Sequence, residues 1–145
     1  MRKTLIVLMA VFLAGCVDDS ASYYIDGRDH SLTLRRQQSY FWKSEAAVTL
    51  VASRLPECQR LHRLTTVQPA TDVKAELFAA ADGTWNLRLG DQLWQVETNT
   101  CNSLTELQND PKADLGQPVG SFVVNGGKLE FEAAPEQPAA PAGAQ

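Results

Sequence analysis

The chain has 145 residues, enough for one domain. Its 17 acidic side chains outnumber its 13 Lys and Arg, and the net charge of −4 argues against nucleic acid as a partner, because phosphate binding needs a basic footprint. The same balance gives no general attraction to anionic lipid, and the sequence contains no phosphate loop or dinucleotide fingerprint.

Met1, Arg2 and Lys3 open the chain and lead into an apolar run from Leu5 to Ala14. The run has the length of a signal-peptide core and is too short for a membrane-spanning helix, which needs about 20 apolar residues. It ends in Leu13-Ala14-Gly15-Cys16, small residues placed directly before a cysteine. On these residues the N-terminus resembles a bacterial lipoprotein precursor, with Leu13, Ala14, Gly15 and Cys16 filling every place of the lipobox. The resemblance implies that residues 1–15 are a signal peptide cleaved before Cys16, that the Cys16 sulfur carries a diacylglycerol with palmitate-type chains, and that the new amino terminus is acylated. At about 0.8 kcal/mol per buried methylene, several chains make such an anchor effectively permanent. In lipoproteins of two-membrane bacteria an Asp directly after the cysteine marks retention in the inner membrane. Here Val17 holds that place and Asp18 and Asp19 follow it, so the expected location is the cell outer membrane, with the domain on its periplasmic face.

Lipidation of Cys16 leaves Cys58 and Cys101, an even pair in an oxidising compartment, which reads as a disulfide. Closing a loop of about 44 residues contributes about 4 kcal/mol in the chain-entropy model. A redox or metal pair is the competing reading, but there is no Cys-x-x-Cys spacing and only His30 and His62 are available to help.

Residues 16–22 read as the lipidated cysteine and a short polar tether holding the domain off the membrane. The folded part is expected over 23–132. Asp26-Gly27 has turn chemistry, and Leu32 and Leu34 alternate with Ser31, Thr33 and Arg35 as in a half-buried strand. After the aromatic cluster Tyr40-Phe41-Trp42, residues 46–53 read as a strand covered on both sides. A helix capped by Ser44 is the rival there; the short run and its closure by Pro56 favour the strand. Residues 60–67 form a further expected strand. Val73, Ala75, Leu77 and Ala79, then Trp85, Leu87 and Leu89, then Trp94 and Val96 alternate with polar neighbours, and Asp82-Gly83 and Gly90-Asp91 lie between the runs. That pattern predicts a three-stranded meander. Ser103-Leu104-Thr105-Glu106 has capping-box spacing and predicts a helix of about two turns reaching Asn109. Asn125-Gly126-Gly127 divides a closing hairpin, and residues 133–145, rich in Pro and Ala, read as a disordered tail. The fold class expected is all-β, a small antiparallel barrel or sandwich of about seven or eight strands with one short helix.

Asp26, Asp29 and His30 lie close in sequence, but they lack the alternating acids of a calcium loop and a third soft ligand for zinc, so they read as a solvated turn and no metal or cofactor is expected. No Gly-x-Ser-x-Gly elbow or Ser-x-x-Lys pair occurs, so no catalytic residue is assigned and the protein is read as not an enzyme. The candidate ligand patch is Arg35, Arg54, Arg60, His62 and Arg63, with Arg36 near it, suited to a phosphate, a lipopolysaccharide head group or an acidic surface. Tyr40 and Trp42 join it as aromatic surface for glycan or peptide, whereas Trp85 and Trp94 fall on inward faces and read as core. The function expected is a non-enzymatic binding or envelope-assembly module, held to the membrane through Cys16, with an envelope protein or peptidoglycan as partner. Gly90 to Thr98 loosely resembles a strand of the small periplasmic lipoproteins that inhibit lysozyme, so inhibition of a lysozyme-type enzyme is the alternative; their Ser-Gly-Ser-Gly-Ala-type loop is missing from this sequence.

Overall fold

A computed structural model describes residues 17–40, 42–68 and 73–135. Cys16 and the signal segment expected before it lie outside the described residues, as do 136–145 of the expected tail. The described chain is all-β, in the order β1 (Asp18–Asp26), β2 (His30–Gln37), β3 (Ala46–Arg54), β4 (Cys58–Val67), β5 (Lys74–Ala79), β6 (Thr84–Leu89), β7 (Gln92–Glu97), β8 (Leu104–Leu107), β9 (Gln117–Asn125) and β10 (Lys128–Ala133). That is ten strands among the described residues, where the sequence patterns predict seven or eight.

These strands form two antiparallel sheets, β1-β2-β3-β4 and β10-β9-β5-β6-β7-β8, and the sheets do not join into a closed barrel. Alternation explains the arrangement, because each strand turns one row of apolar side chains inward. Leu32 and Leu34 of β2 and Val48, Leu50 and Ala52 of β3 meet Ala75, Leu77, Leu87, Phe122 and Leu129 of the other sheet in a single buried cluster. Residues 46–54 are a strand, paired on both sides, as their alternating burial requires. Trp85 and Trp94 are buried in the core.

Two expectations are overturned. The tether expected through Ser22 is instead the first half of β1, paired with β2 from Asp18↔Gln37 onward. Ala21, Tyr23 and Ile25 pack on the core, which gives this polar segment an apolar side that its composition conceals. The helix expected over 103–109 is also absent, and Leu104 and Leu107 pair with Val96 and Leu93 in β8. A helix of two turns is marginal by itself. The edge of β7 offers backbone partners instead, and Glu97 Oε1 accepts the Ser103 amide at 3.2 Å, engaging the residue that would have capped the helix.

The sheets are stitched along both pairs of edges. Where β1 meets β10, Arg36 reaches inward fully buried, and its Nε and Nη2 donate to Asp19 Oδ1 and Oδ2 at 2.9 and 2.8 Å. The same Asp19 accepts the Leu129 amide at 2.9 Å, and Arg36 Nη2 donates to the Gly127 carbonyl at 3.0 Å. Where β4 meets the loop after β7, the expected disulfide joins Cys58 to Cys101, with Cα atoms 5.9 Å apart. Leu93, on the face of β7 opposite Trp94 and Val96, is buried as well, and on that same face Asn86 Nδ2 donates to the Leu115 carbonyl of the chain between β8 and β9 at 2.8 Å.

Candidate functional site

The disulfide draws the loop 98–103 against β3 and β4, and three of the expected patch residues serve that junction. His62 pairs with Leu50, so it faces inward and is buried, and its Nε2 donates to the Cys101 carbonyl at 2.8 Å. Arg54 Nη1 donates to Asn99 Oδ1 at 3.0 Å, and Arg60 Nη1 donates to Asn102 Oδ1 at 2.9 Å. His30 stands at the same end of the sheet. Because the Thr98 hydroxyl donates to the Gly83 carbonyl at 3.3 Å, His30 Nε2 is the donor in its 2.9 Å contact with Thr98 Oγ1. Burial lowers the pKa of His30, and the charge of Arg54 lowers it further against a smaller opposing effect of Asp26. Asp26, Asp29 and His30 do not assemble as ligands: among the described residues no group of three His, Cys, Asp or Glu side chains stands close enough to hold a metal ion.

Arg35 and Arg63 lie elsewhere. Arg35 pairs with Thr49 across β2 and β3, and Thr49 pairs with Arg63 across β3 and β4, so the two arginines flank one threonine on the outer face of the four-stranded sheet. An irregularity after Val48 leaves Leu64 without a rung of its own and bends β4 at this point. The bend helps to shape a groove of about 490 Å³ lined by Arg35, Ser39, Thr49, Leu61, Arg63 and Thr66, among others. Asp18 accepts from both Nε and Nη2 of Arg35 at 3.0 and 2.9 Å, and this hydrogen-bonded pairing holds the Asp18 carboxyl below its ordinary pKa. Among the described residues no carboxylate pairs with Arg63. Leu61, which did not figure in the expected patch, is 49% exposed in this groove. Its orientation follows from alternation: with His62 inward, Leu61 must point outward.

Tyr40 and Trp42 occupy the loop between β2 and β3, which also supplies Ser39 to the groove. Their rings stack with centroids 4.8 Å apart and planes 24° from parallel, and Lys43 Nζ lies 5.5 Å from the Tyr40 ring centre. Both rings are exposed. The expected patch is therefore two places: Arg54, Arg60 and His62 brace the disulfide junction, while Arg35 and Arg63 line an open groove beside the aromatic loop. A second groove, of about 420 Å³, lies on the outer face of the six-stranded sheet between Lys74, Phe78, Arg88, Val123 and Glu132. Two of its charged side chains are paired with each other, Arg88 with Glu76 at 2.6 Å.

The segment Gly90 to Thr98 contains β7, whose Leu93, Trp94 and Val96 are buried. No family model matches the chain, and no curated protein or solved structure is significantly similar to it.

Proposed function

We propose that this chain is an outer-membrane-anchored periplasmic lipoprotein whose body, a two-sheet sandwich, acts as a non-enzymatic binding or envelope-assembly module. The lipobox residues Leu13 to Cys16 support the anchor, and a disulfide between Cys58 and Cys101 suits an oxidising compartment. The observation that carries the binding role is the groove on the outer face of β2, β3 and β4, where Arg63 stands without a carboxylate partner among the described residues beside the exposed Leu61. An apolar side chain next to an uncompensated guanidinium fits a partner that brings an acidic group at the rim of an apolar contact. Both histidines are held by hydrogen bonds that maintain the junction, which favours a binding role over proton transfer.

The test is photo-crosslinking in living cells from a reactive residue at position 61, with position 106 on the exposed edge strand as control. An envelope protein or peptidoglycan captured from 61 and not from 106, and lost on Arg63→Glu, is the expected result. Equal capture from both positions, or capture indifferent to Arg63→Glu, removes the groove from consideration. Capture of a lysozyme-type enzyme, together with its inhibition by the protein in solution, would replace the assembly reading with inhibition.

A further inference from the structure

The end of the molecule nearest the anchor leaves no length for a spacer. The Val17 carbonyl accepts the Gln38 amide at 2.7 Å, and the Val17 amide donates to Gln38 Oε1 at 3.4 Å. Cys16 is the next residue in the sequence, and one residue spans at most about 3.6 Å of chain. An acylated Cys16 would thus hold the loop between β2 and β3 against the membrane. The layer of headgroups on each side of the hydrocarbon is roughly 5–8 Å deep, the same scale as the one-residue reach from Cys16 to the segment bonded to Gln38.

That loop carries the stacked Tyr40 and Trp42, with Trp42 66% exposed and Lys43 beside them. It is braced from within, since Gln38 Nε2 donates to the Lys43 carbonyl and the Lys43 amide donates to the Tyr40 carbonyl at 3.1 Å. Tyr and Trp rings are amphipathic and concentrate at membrane headgroup level, and Lys43 is paired with Glu45 at 3.5 Å, so the contact rests on the rings and not on a free cation. The acidic residues that follow the anchor do not oppose such a contact, because Asp18 is paired with Arg35 and Asp19 with Arg36.

We infer that the Tyr40–Trp42 stack is a membrane-contact surface that docks the domain onto the phospholipid headgroups of the leaflet carrying its anchor. This rests on the lipoprotein reading given above. The domain then stands on the membrane by two points, the acyl chains and the aromatic loop, with the disulfide end directed away. The groove on the outer face opens to the side, close to the membrane.

Tryptophan fluorescence tests this directly, because of the three tryptophans Trp85 and Trp94 are 8% and 3% exposed, which leaves Trp42 as the accessible reporter. The full precursor is expressed in cells, and the processed protein is extracted from membranes and weighed intact by mass spectrometry. It is then reconstituted in phosphatidylethanolamine and phosphatidylglycerol vesicles containing lipids brominated near the headgroup end of their acyl chains. The expected result is emission quenched by the brominated lipid, with that quenching lost in Trp42→Phe, and a Trp42 contribution, read as the difference between the two proteins, that is shielded from aqueous acrylamide. Acylated protein whose Trp42 stays open to acrylamide and insensitive to bromine overturns the docking and leaves the anchor intact. A mass without acyl chains overturns the anchor reading itself, and the docking with it.

Discussion

Glu97 organises the loop that carries Cys101. Its Oε1 accepts the Thr100 hydroxyl at 2.6 Å and the Asn102 amide at 2.9 Å, and its Oε2 accepts the Thr100 amide at 2.8 Å. Burial acts to raise its pKa, but the hydrogen bonds from the Thr100 side chain and from the Thr100, Ser103 and Asn102 amides outweigh it and hold the value at about 2. Because the folded pKa is depressed, the stabilisation is present above the ordinary glutamate range and is lost as pH falls toward 2. Glu97→Gln should cost about 1.5 kcal/mol at neutral pH, the lower end of the scale for hydrogen bonds to charged groups, because the site is partly exposed. In denaturant titrations the difference between the two proteins should shrink as pH is lowered from about 4.5 to about 2; a constant difference across that window would refute the assignment. Cys101 itself sits at φ 61°, in the left-handed region uncommon for non-glycine residues, and the ring of bonds around Glu97 and the contact from His62 keep it there. Its pairing with Cys58 was legible from cysteine count. The role of Glu97 was not, because a carboxylate binding amides three to six residues ahead leaves no periodic mark, and on alternation Glu97 reads as an outward side chain.

At the scale of elements, the same alternation that located β2, β3 and the meander should have flagged Arg36. Leu32 and Leu34 point inward, so Arg36 must as well, yet its charge reads as surface until Asp19 is known to lie opposite it. Asp19 in turn was concealed in a run of small polar residues whose inward side shows only Ala21, Tyr23 and Ile25. β8 was missed for the opposite reason: a strong local capping pattern was overridden by the open edge of β7. The ion pair ties β1, β2 and β10 together, so Asp19→Ala should destabilise the fold by about 3 kcal/mol, because it removes the carboxylate that faces a buried guanidinium. Adding Arg36→Met should recover much of that loss, since a well-packed apolar side chain replaces a buried ion at little cost. Thermal or urea denaturation of the single and double variants measures both, and equal destabilisation by the two would show that the pair does not act as a unit. Although burial opposes it, the bonds from Arg36 and the Leu129 amide lower the Asp19 pKa. This contribution is likewise held above the ordinary aspartate range and lost on acidification through the folded pKa.

For the molecule as a whole, the ion pair and the disulfide sit at opposite ends of the sheets and on opposite pairs of edges. Replacing both Cys58 and Cys101 by Ser should lower stability by about 4 kcal/mol for a bridge spanning 43 positions. Hydrogen exchange should show β4, β8 and the loop 98–103 losing protection first, while β1, β2 and β10 keep theirs; uniform loss would mean that the two junctions are not independent. The all-β class and most strands were readable from alternation and turn residues, because both are local. The groove was not, because Arg35 and Arg63 are separated by the length of β3 and its flanking loops and come together only through the order β2-β3-β4. The pairing of β1 has one more consequence. From Asp18↔Gln37 to Asp26↔His30 the strand lies antiparallel along its neighbour, and the chain enters it at Val17. Tension applied at Val17 along the strand axis strains all the rungs of that ladder together, in shear, whereas tension at right angles would open them one by one. With Asp19 clamped to Arg36 and Leu129 at the loaded end, the domain is built to resist a lengthwise pull applied through Val17.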